Sequence, residues 1–188
     1  MKVLFATGNI GKYHEAKQIL ARYGIEVERV DLDYPELQSD SLEEIAAYGA
    51  RYCAESLGQP VIVEDSGLFI EALNGFPGPY SAYVFDTIGN EGILKLLEGE
   101  ENRKAEFISV VGYCEPGGRP VTFTGEIRGR IAEEPRGEEG FGYDPIFIPE
   151  GEDSTFAELG VEEKCKISHR TKALERFAEW YKNNVAGR

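Results

Sequence analysis

The sequence predicts an α/β fold built on a mixed sheet, and three observations support this prediction. A short apolar run at residues 2–6 leads through a glycine-containing turn into a segment with helical spacing of apolar residues. Strand-like and helix-like segments then alternate as far as residue 64, which is typical of α/β proteins. Farther along, residues 105–114 and 121–131 read as two strands joined by a Gly-rich turn, which indicates a hairpin. The sheet is therefore expected to be mixed, with helices flanking it.

The first third of the chain is predicted to hold three strands and two helices. The first helix follows the turn Thr7–Lys12, and residues 25–32 alternate as a second strand. Ser41 and Glu44 have capping-box spacing before a helix that runs to about Gly58. Residues 60–64 are hydrophobic at consecutive positions, as expected for a centrally buried third strand. The apolar positions of the first helix are Tyr13, Ala16, Ile19, Leu20 and Tyr23.

The rest of the chain adds a loop, two helices and the hairpin. Residues 74–79 predict a rigid loop, and residues 87–97 predict a helix that ends before Gly99. Ser168 is placed to cap a last helix. The chain has 188 residues and no repeat or linker, so we predict one domain spanning residues 1–188. The predicted buried face of the last helix is Leu174, Phe177, Ala178 and Tyr181.

The composition restricts the partners of the protein. There are 34 acidic residues against 20 Lys and Arg, for a net charge of -14, which would repel a nucleic-acid backbone. We therefore expect small-molecule ligands and no nucleic-acid polymer. Residues 1–7 form an apolar run too short for a signal peptide or a membrane span, so a cytoplasmic protein without a membrane partner is expected.

The turn Thr7–Lys12 is the first candidate binding segment. Successive backbone N–H groups at a helix start, together with one ammonium group, suit the binding of a triphosphate. The spacing differs from a P-loop, because only two residues separate Gly8 and Gly11 and Tyr13 follows the lysine. An ordinary strand-to-helix turn is the alternative that the residues leave open.

Two acidic segments follow the second and third predicted strands. Glu36 and Asp65 would lie at the ends of these strands, where open α/β sheets gather their ligand sites. Oxygen ligands that leave positions for water and phosphate favour Mg²⁺, and Asp65 would then be close enough to accept a proton from a water molecule. The alternative is a plain turn at residues 65–67 and a solvated surface acid at Glu36.

A third candidate segment carries aromatic residues. Residues 140–145 place Phe141, Tyr143 and Asp144 on a glycine-flanked loop that suits stacking on a base and reading its polar edge. Lys164 and the triplet Ser168-His169-Arg170 add donors near the last helix. Each segment alone also fits a purely structural role, so these segments support a functional site only when they are taken together.

Taken together, these segments resemble the inosine triphosphate pyrophosphatase family over essentially the whole chain. The family features are a T-G-N-x-x-K turn, a P-E metal acid, an E/D-D-S/T-G-L catalytic acid, an F-G-Y-D base loop and an S-H-R triplet. Five motifs in the same order are far more specific than any single motif.

The resemblance implies a role for each matching residue. Asp65 would be the proton acceptor, Glu36 and Asp65 would serve Mg²⁺, and Ser66 would line the substrate site. The residues that would hold the phosphates are Thr7, Gly8, Asn9, Ile10, Gly11 and Lys12. Those that would form the base and sugar pocket are Phe141, Gly142, Tyr143, Asp144, Lys164, His169 and Arg170.

The resemblance also implies a fold and an activity. The family fold is an elongated α/β structure with a long mixed sheet and an active-site cleft between two lobes, usually in a homodimer. The activity is Mg²⁺-dependent hydrolysis of abnormal purine nucleoside triphosphates (ITP, dITP and XTP) to the monophosphate and pyrophosphate. The chain departs from the family pattern at two places that bear on how the triphosphate tail is neutralised. Many relatives have a Lys in the helix after the metal acid, whereas residues 42–58 contain no Lys and offer only Arg51. Tyr83 stands where relatives often have Arg.

Two other functions are alternatives to this one. A Maf-like pyrophosphatase would cleave the same bond with a different base preference, and a nucleotide-sensing module would bind without turnover. The F-G-Y-D and S-H-R pairing argues against the first, and the two acids argue against the second. For base choice, Arg170 with His169 would aim donors at the 6-oxo group, which would reject the 6-amino group of adenine.

Overall fold

The computed structural model describes residues 1–187 and confirms the predicted α/β class. Within this range there are seven β-strands and six α-helices. The strands are β1 (Lys2–Ala6), β2 (Glu26–Val30), β3 (Val61–Ile70), β4 (Pro77–Gly78), β5 (Lys104–Cys114), β6 (Val121–Ile131) and β7 (Phe147–Pro149). The helices are α1 (Ile10–Ala21), α2 (Leu42–Leu57), α3 (Ser81–Thr87), α4 (Gly89–Leu96), α5 (Phe156–Ile167) and α6 (His169–Asn184).

The strand pairing confirms the prediction of a mixed sheet. The strand order is β2-β1-β3-β5-β6-β7, and β4 pairs with β3 outside this path. Strand β1 runs parallel to both β2 and β3. The pairs β3–β4 and β6–β7 are antiparallel.

The chain folds as two compact units, each assembled from separate stretches of sequence. Unit 1 comprises Met1–Asp65, Ser109–Gly125 and the described residues from His169 onward. Unit 2 comprises Ser66–Ile108 and Glu126–Ser168. Strands β3, β5 and β6 each contribute residues to both units. Neither unit is one continuous segment, and the single domain spanning residues 1–188 stays a prediction.

Unit 1 buries the apolar faces of its helices against the parallel strands. Its largest fully buried side chains include Phe5, Ile19, Leu20, Ile62 and Phe177. The predicted apolar face of the last helix is confirmed, since all four of its residues are buried in α6.

The start of α6 lies very close to β6 within unit 1. A Cβ atom at Gly125 would lie 2.3 Å from the carbonyl oxygen of His169, so the strand needs glycine there. Helix α6 begins directly after Ser168, as predicted, and the role of Ser168 as its cap stays a prediction.

Unit 2 has a separate apolar core. Its members come from the second half of β3, from α3 and α4, from β5 and β6, and from the segment that runs from Tyr143 through β7 to the start of α5. The ring centroids of Phe107 and Phe147 are 4.6 Å apart, and Phe156 packs on both rings. The core residues are Leu68, Ile70, Val84, Ile93, Leu97, Ala105, Phe107, Ile127, Ile131, Tyr143, Ile146, Phe147 and Phe156.

Several element boundaries differ from the prediction. Helix α1 begins at Ile10 rather than after Lys12, because the Asn9 side chain caps it by accepting from the Lys12 N–H. The predicted helix 87–97 corresponds to α4, which begins at Gly89 with φ of +62°, and α3 just before it was not predicted. The sequence analysis did not identify α5 or β7.

The third strand was predicted too short, and this changes the setting of the catalytic motif. Strand β3 continues to Ile70, so Asp65 and Gly67 lie inside it rather than in a turn after it. The reason is pairing with β4, in which Leu68 is opposite Gly78 and Phe69 is opposite Pro77. Such a partner is distant from the local Asp-Ser-Gly signal, which by itself indicates a turn.

Candidate active site

The predicted phosphate-binding turn is a capped helix N-terminus. Thr7 Oγ1 accepts from the Asn9 N–H at 3.0 Å, and Asn9 Oδ1 accepts from the Lys12 N–H at 3.0 Å. These bonds hold residues 7–9 as a tight connection from β1 into α1. The first turn of α1 contains Ile10, Gly11 and Lys12, and the N-terminus of a helix carries the partial positive charge that favours an anion.

Four charged side chains form a network inside unit 1. Lys12 Nζ lies 3.0 Å from Glu64 Oε1, and Arg170 Nε donates to Glu64 Oε2. Arg170 Nη1 donates to Glu15 Oε1 at 2.6 Å, and the Ser109 hydroxyl donates to Glu64 Oε2 at 3.0 Å. Glu15, Glu64 and Arg170 are buried, and Lys12 is the most exposed of the four. The network is neutral, with two cations and two carboxylates, as buried charges require.

The two adjacent carboxyl groups of β3 have opposite pKa shifts. Burial acts to raise the pKa of Glu64, but the charges of Arg170 and Lys12 outweigh it and lower that pKa to about 2. For Asp65, burial raises the pKa to about 7, with Lys12 opposing and with Glu64 and Glu36 adding to the rise. A carboxyl group with a pKa near neutrality is suited to accept a proton at working pH.

The carboxyl group of Asp65 has uncommon surroundings. Its Oδ2 atom is buried and has no hydrogen-bond partner among residues 1–187. Burial raises the pKa of the Tyr34 hydroxyl, and the charge of Asp65 adds to this. Burial raises the pKa of the Cys53 thiol to about 11, again with a contribution from Asp65. Tyr34 and Cys53 are therefore neighbours of Asp65 that the sequence analysis missed.

The donors around Asp65 fit a hard divalent cation. No group of three or more His, Cys, Asp or Glu side chains within residues 1–187 is arranged to hold a metal ion. Mg²⁺, however, is commonly held by one or two carboxylates, with water and substrate phosphate as its other ligands. The buried, unpartnered Oδ2 of Asp65 and the charge of Glu36, which acts on the same carboxyl group, match this pattern.

The F-G-Y-D loop is held from several sides within unit 2. Lys164 Nζ donates to Asp144 Oδ2 at 2.8 Å, and both side chains are buried. The same carboxylate oxygen accepts from the Phe141 N–H at 3.1 Å. The Lys164 ammonium lies 4.6 Å from the centroid of the Phe141 ring, a cation–π distance. Phe141, Asp144 and Lys164, three predicted site residues, therefore contact one another.

Tyr143 has a supporting position in the same loop. Its ring packs edge-on against Phe85, with centroids 5.3 Å apart, and its hydroxyl donates to the Ser81 carbonyl oxygen at 2.6 Å. The Ser81 hydroxyl accepts from the Leu68 N–H at 2.8 Å and donates to the Gly78 carbonyl at 2.6 Å. Buried Ser81 thus connects β3, just beyond the catalytic motif, to the base loop.

The other predicted residues have the following positions. Ser66 is half-buried in β3, and Glu36 is exposed in the loop after β2. His169 is buried at the start of α6. Arg51 is largely exposed and pairs with Glu55 along α2, and Tyr83 is 71% exposed on α3.

Sequence reasoning missed several residues that build the site. Glu15, Glu64 and Ser81 were assigned no role, although each is hydrogen-bonded to a predicted site residue, Arg170 or Tyr143. Ser109 donates to Glu64, and burial together with the charge of Asp65 raises the pKa of Tyr34 and of Cys53. The buried position of Glu15 on α1 was the one available signal, because an acid on an apolar helix face requires a cation.

The fold and the site together define a class of protein. It is an α/β protein with a helix N-terminus, an ammonium group and a carboxyl group whose pKa is raised to about 7. The chain belongs to the Ham1 family, whose model matches residues 3–180. It is 55% identical to the dITP/XTP pyrophosphatase of Thermococcus kodakarensis, covering 98% of this chain and 100% of that protein. It is 57% identical to the dITP/XTP pyrophosphatase of Methanothermobacter marburgensis, covering 98% of both.

Solved structures show the same fold. The Ham1 protein of Staphylococcus aureus superposes with a TM-score of 0.83 at 34% identity, covering 97% of this chain and 99% of that one. A HAM1 protein from Coxiella burnetii superposes with a TM-score of 0.84 at 33% identity and the same coverage.

Proposed function

We propose that this protein is a hydrolase that converts abnormal purine nucleoside triphosphates to the monophosphate and pyrophosphate, and so cleanses the nucleotide pool. The substrates would be ITP, dITP and XTP. The observation that carries this proposal is Asp65, whose pKa is raised to about 7 in a strand beside the Lys12 ammonium. The relatives named dITP/XTP pyrophosphatase, at more than half identity over nearly the full chain, support the same reaction.

In this reaction a water molecule attacks the α-phosphorus. The water oxygen forms a bond to phosphorus, the bond to the bridging oxygen breaks, and pyrophosphate leaves with the electron pair. Asp65 accepts the proton of the water, for which its carboxyl group must begin deprotonated. Lys12 and the amides at the start of α1 neutralise the charge that develops on the leaving group.

Glu36 and Asp65 would hold Mg²⁺ in the proposed enzyme. Bound there, the ion would supply positive charge for the phosphate oxygens and help to orient the attacking water. The Asp65 carboxyl group would therefore both bind the ion and accept the proton, as the resemblance implies.

For base recognition, we propose the loop Phe141, Gly142, Tyr143 and Asp144 with Lys164 in unit 2, and His169 with Arg170 in unit 1. Phe141 is half-buried, which leaves part of its ring for stacking on a purine. Arg170 donates to Glu15 and to Glu64, which holds its guanidinium in place. Arg170 with His169 would aim donors at a 6-oxo group. Ser66, next to Asp65, is the proposed further contact with the substrate.

The proposed partners are small nucleoside triphosphates and a second copy of the chain in a homodimer. The net charge of -14 disfavours nucleic-acid polymers. None of the helices in residues 1–187 is long and apolar enough to cross a bilayer. A cytoplasmic location is part of the proposal, because nucleotide pools that feed polymerases are found there.

The proposal is tested by measuring pyrophosphate release from a panel of nucleoside triphosphates with Mg²⁺. We expect ITP, dITP and XTP to be cleaved far faster than ATP. Asp65→Asn should retain less than about a tenth of the activity, because an amide cannot accept the proton. Asp153→Asn, at a fully exposed aspartate, is the matched control and should be fully active.

Other results would favour the rival functions. Preference for a non-purine substrate would indicate a Maf-like pyrophosphatase. Tight nucleotide binding with no pyrophosphate release would indicate a sensing module.

The metal role of Glu36 has its own test. Glu36→Gln should raise the Mg²⁺ concentration needed for half-maximal rate, because one charged oxygen ligand is lost. An unchanged Mg²⁺ titration would mean that the ion is held elsewhere. Glu55→Gln, at an exposed acid on α2, serves as the control.

A further inference from the structure

Asn90, the second residue of α4, contacts the base loop in unit 2 and is outside every motif discussed above. Its Nδ2 donates to the Gly142 carbonyl oxygen at 3.1 Å, across 52 residues of sequence. Its Oδ1 is buried and has no hydrogen-bond partner among residues 1–187. An unpaired buried carbonyl oxygen is unfavourable for folding. The favourable contact of the Asn90 side chain is therefore the hydrogen bond from its Nδ2 to the Gly142 carbonyl oxygen.

The loop around Gly142 is otherwise restrained at its two neighbours. The Phe141 N–H is bound by Asp144, and the Tyr143 hydroxyl is bound to Ser81 on α3. Gly142 itself has φ of +61° and no side chain, so the orientation of its peptide depends on bonds to the backbone. The Asn90 amide supplies one such bond to its carbonyl group.

We infer that Asn90 is a positioning residue for base discrimination, which fixes the Gly142 peptide and thereby the edge that the base loop presents to a purine. The inference deepens the proposed function and rests on its assignment of residues 141–144 to the base. Discrimination by hydrogen bonds requires groups held to within a fraction of an ångström, and a backbone carbonyl that can rotate does not discriminate well. Helix α4 would then influence which nucleotide is cleaved without touching it.

Two substitutions separate this role from a merely structural one. Asn90→Leu is similar in size and removes both the donor and the unpaired Oδ1. Asn90→Asp keeps the shape but replaces the donor with an acceptor, until its carboxyl group is protonated and can donate again. Asn184→Leu is the matched control. The Nδ2 of Asn184 also donates to a backbone carbonyl oxygen, that of Trp180, but at an exposed site.

The readout is the ratio of kcat/KM for ITP to kcat/KM for ATP at the same pH, because the ionisation of Asp65 cancels in this ratio. We expect Asn90→Leu to lower the ratio by about tenfold, mainly through a higher KM for ITP. Its Tm should change by no more than about 2 °C, since a bond and an unpaired group are lost together. Asn90→Asp should also lower the ratio, because its ionised carboxylate cannot donate to the Gly142 carbonyl oxygen. Asn184→Leu should leave the ratio unchanged.

Other outcomes overturn the inference. An unchanged ratio in Asn90→Leu, or equal losses on both nucleotides, would show that Asn90 does not act on base choice. If Asn90→Leu fails to fold, a wild-type ratio in Asn90→Asp overturns it as well. Phe141→Ala distinguishes a failure of this inference from a failure of the proposed function. If this variant keeps the wild-type ratio, the base loop of the proposed function is wrong. If it narrows the ratio and Asn90→Leu does not, only the present inference fails.

Discussion

At the scale of single residues, adjacent carboxyl groups on one strand have different chemistry. Successive side chains of a strand point to opposite faces, so Glu64 and Asp65 meet different surroundings. Glu64 meets Arg170 and Lys12 and is ionised over the whole working range, with its pKa near 2. Asp65 has Tyr34 and Cys53 as neighbours, and burial raises its pKa to about 7. This difference supports the proposal that Asp65 is the proton acceptor, with Glu64 as a fixed counter-charge.

The raised pKa of Asp65 predicts the pH dependence of the reaction. Because the acceptor must be deprotonated, kcat/KM for ITP should rise about tenfold per pH unit below 7 and level off above it. The measurement is a set of pH–rate profiles from pH 5 to 9, each at one Mg²⁺ concentration. A bound cation lowers the apparent pKa, so the inflection should lie nearest pH 7 in the limit of the lowest Mg²⁺ concentration that supports turnover. A profile that is flat between pH 5.5 and 8 in this limit would mean that Asp65 does not titrate near neutrality.

The same shift predicts how stability depends on pH in the metal-free protein. The folded-state pKa of Asp65 lies above its unfolded value, so the folded state loses stability as the pH rises from about 4 through 7. Asp65→Asn removes this cost. Its Tm should exceed that of the wild type by several degrees at pH 8 and match it at pH 4. Thermal unfolding in a chelator measures this, and Asp153→Asn should follow the wild type at both pH values.

At the scale of elements, the second half of β3, just after Asp65, depends on the close approach of β4. A Cβ atom at Gly67 would lie 2.3 Å from the Gly78 carbonyl oxygen, so β3 and β4 can pair only if residue 67 has no side chain. The pairing also places Gly78 where it accepts from Ser81, which in turn holds Tyr143 of the base loop. Two short elements, β4 and α3, therefore connect the catalytic motif to the loop.

Gly67→Ala tests this arrangement. The added methyl group must displace the β4 backbone, and overpacking of this kind costs about 1–3 kcal/mol. We expect a Tm that is lower by roughly 2–12 °C and a larger loss in kcat/KM for ITP than the lost stability explains. Gly187→Ala, where a Cβ meets nothing within 4 Å, is the control. A Gly67→Ala enzyme with wild-type Tm and activity would show that β4 adapts freely.

At the scale of the whole molecule, the two compact units are interleaved along the chain. The chain enters unit 2 at Ser66, returns to unit 1 at Ser109, enters unit 2 again at Glu126 and returns at His169. Strands β3, β5 and β6 contribute residues to both units, so unfolding one unit would disrupt strands of the other.

Interleaving predicts a single cooperative unfolding transition. The only tryptophan, Trp180, lies in unit 1, whereas far-UV circular dichroism follows the helices and strands of both units. The two signals should therefore give coincident urea transitions with one midpoint. Separate midpoints would mean that the units unfold independently and would contradict the prediction of one domain for residues 1–188.

The elements that could be predicted from the sequence are those with local signals. The bounds of β1 and β6 are as predicted, because an apolar run and a Gly-rich hairpin turn are read from neighbouring residues. Ser41 accepts from the Glu44 N–H as predicted, although the Glu44 carboxylate accepts from Ser39 instead of completing the capping box. The predicted helix 87–97 corresponds to α4, whereas α3 directly before it was missed.

The sequence by itself determined the family and predicted the phosphate-binding turn and the acids Glu36 and Asp65, because the motifs that carry them are formed by residues close together in the chain. Only the tertiary structure decided the pairing of Arg170 with Glu15, 155 residues away, and the contact of Asn90 with Gly142. It also decided that Asp65 lies inside a strand, since β4 is the partner that extends β3. The physical reason is that burial and charge pairing are properties of three-dimensional neighbours. Two carboxyl groups with the same chemistry, Glu64 and Asp65, acquire opposite pKa shifts only when the fold brings different neighbours to each.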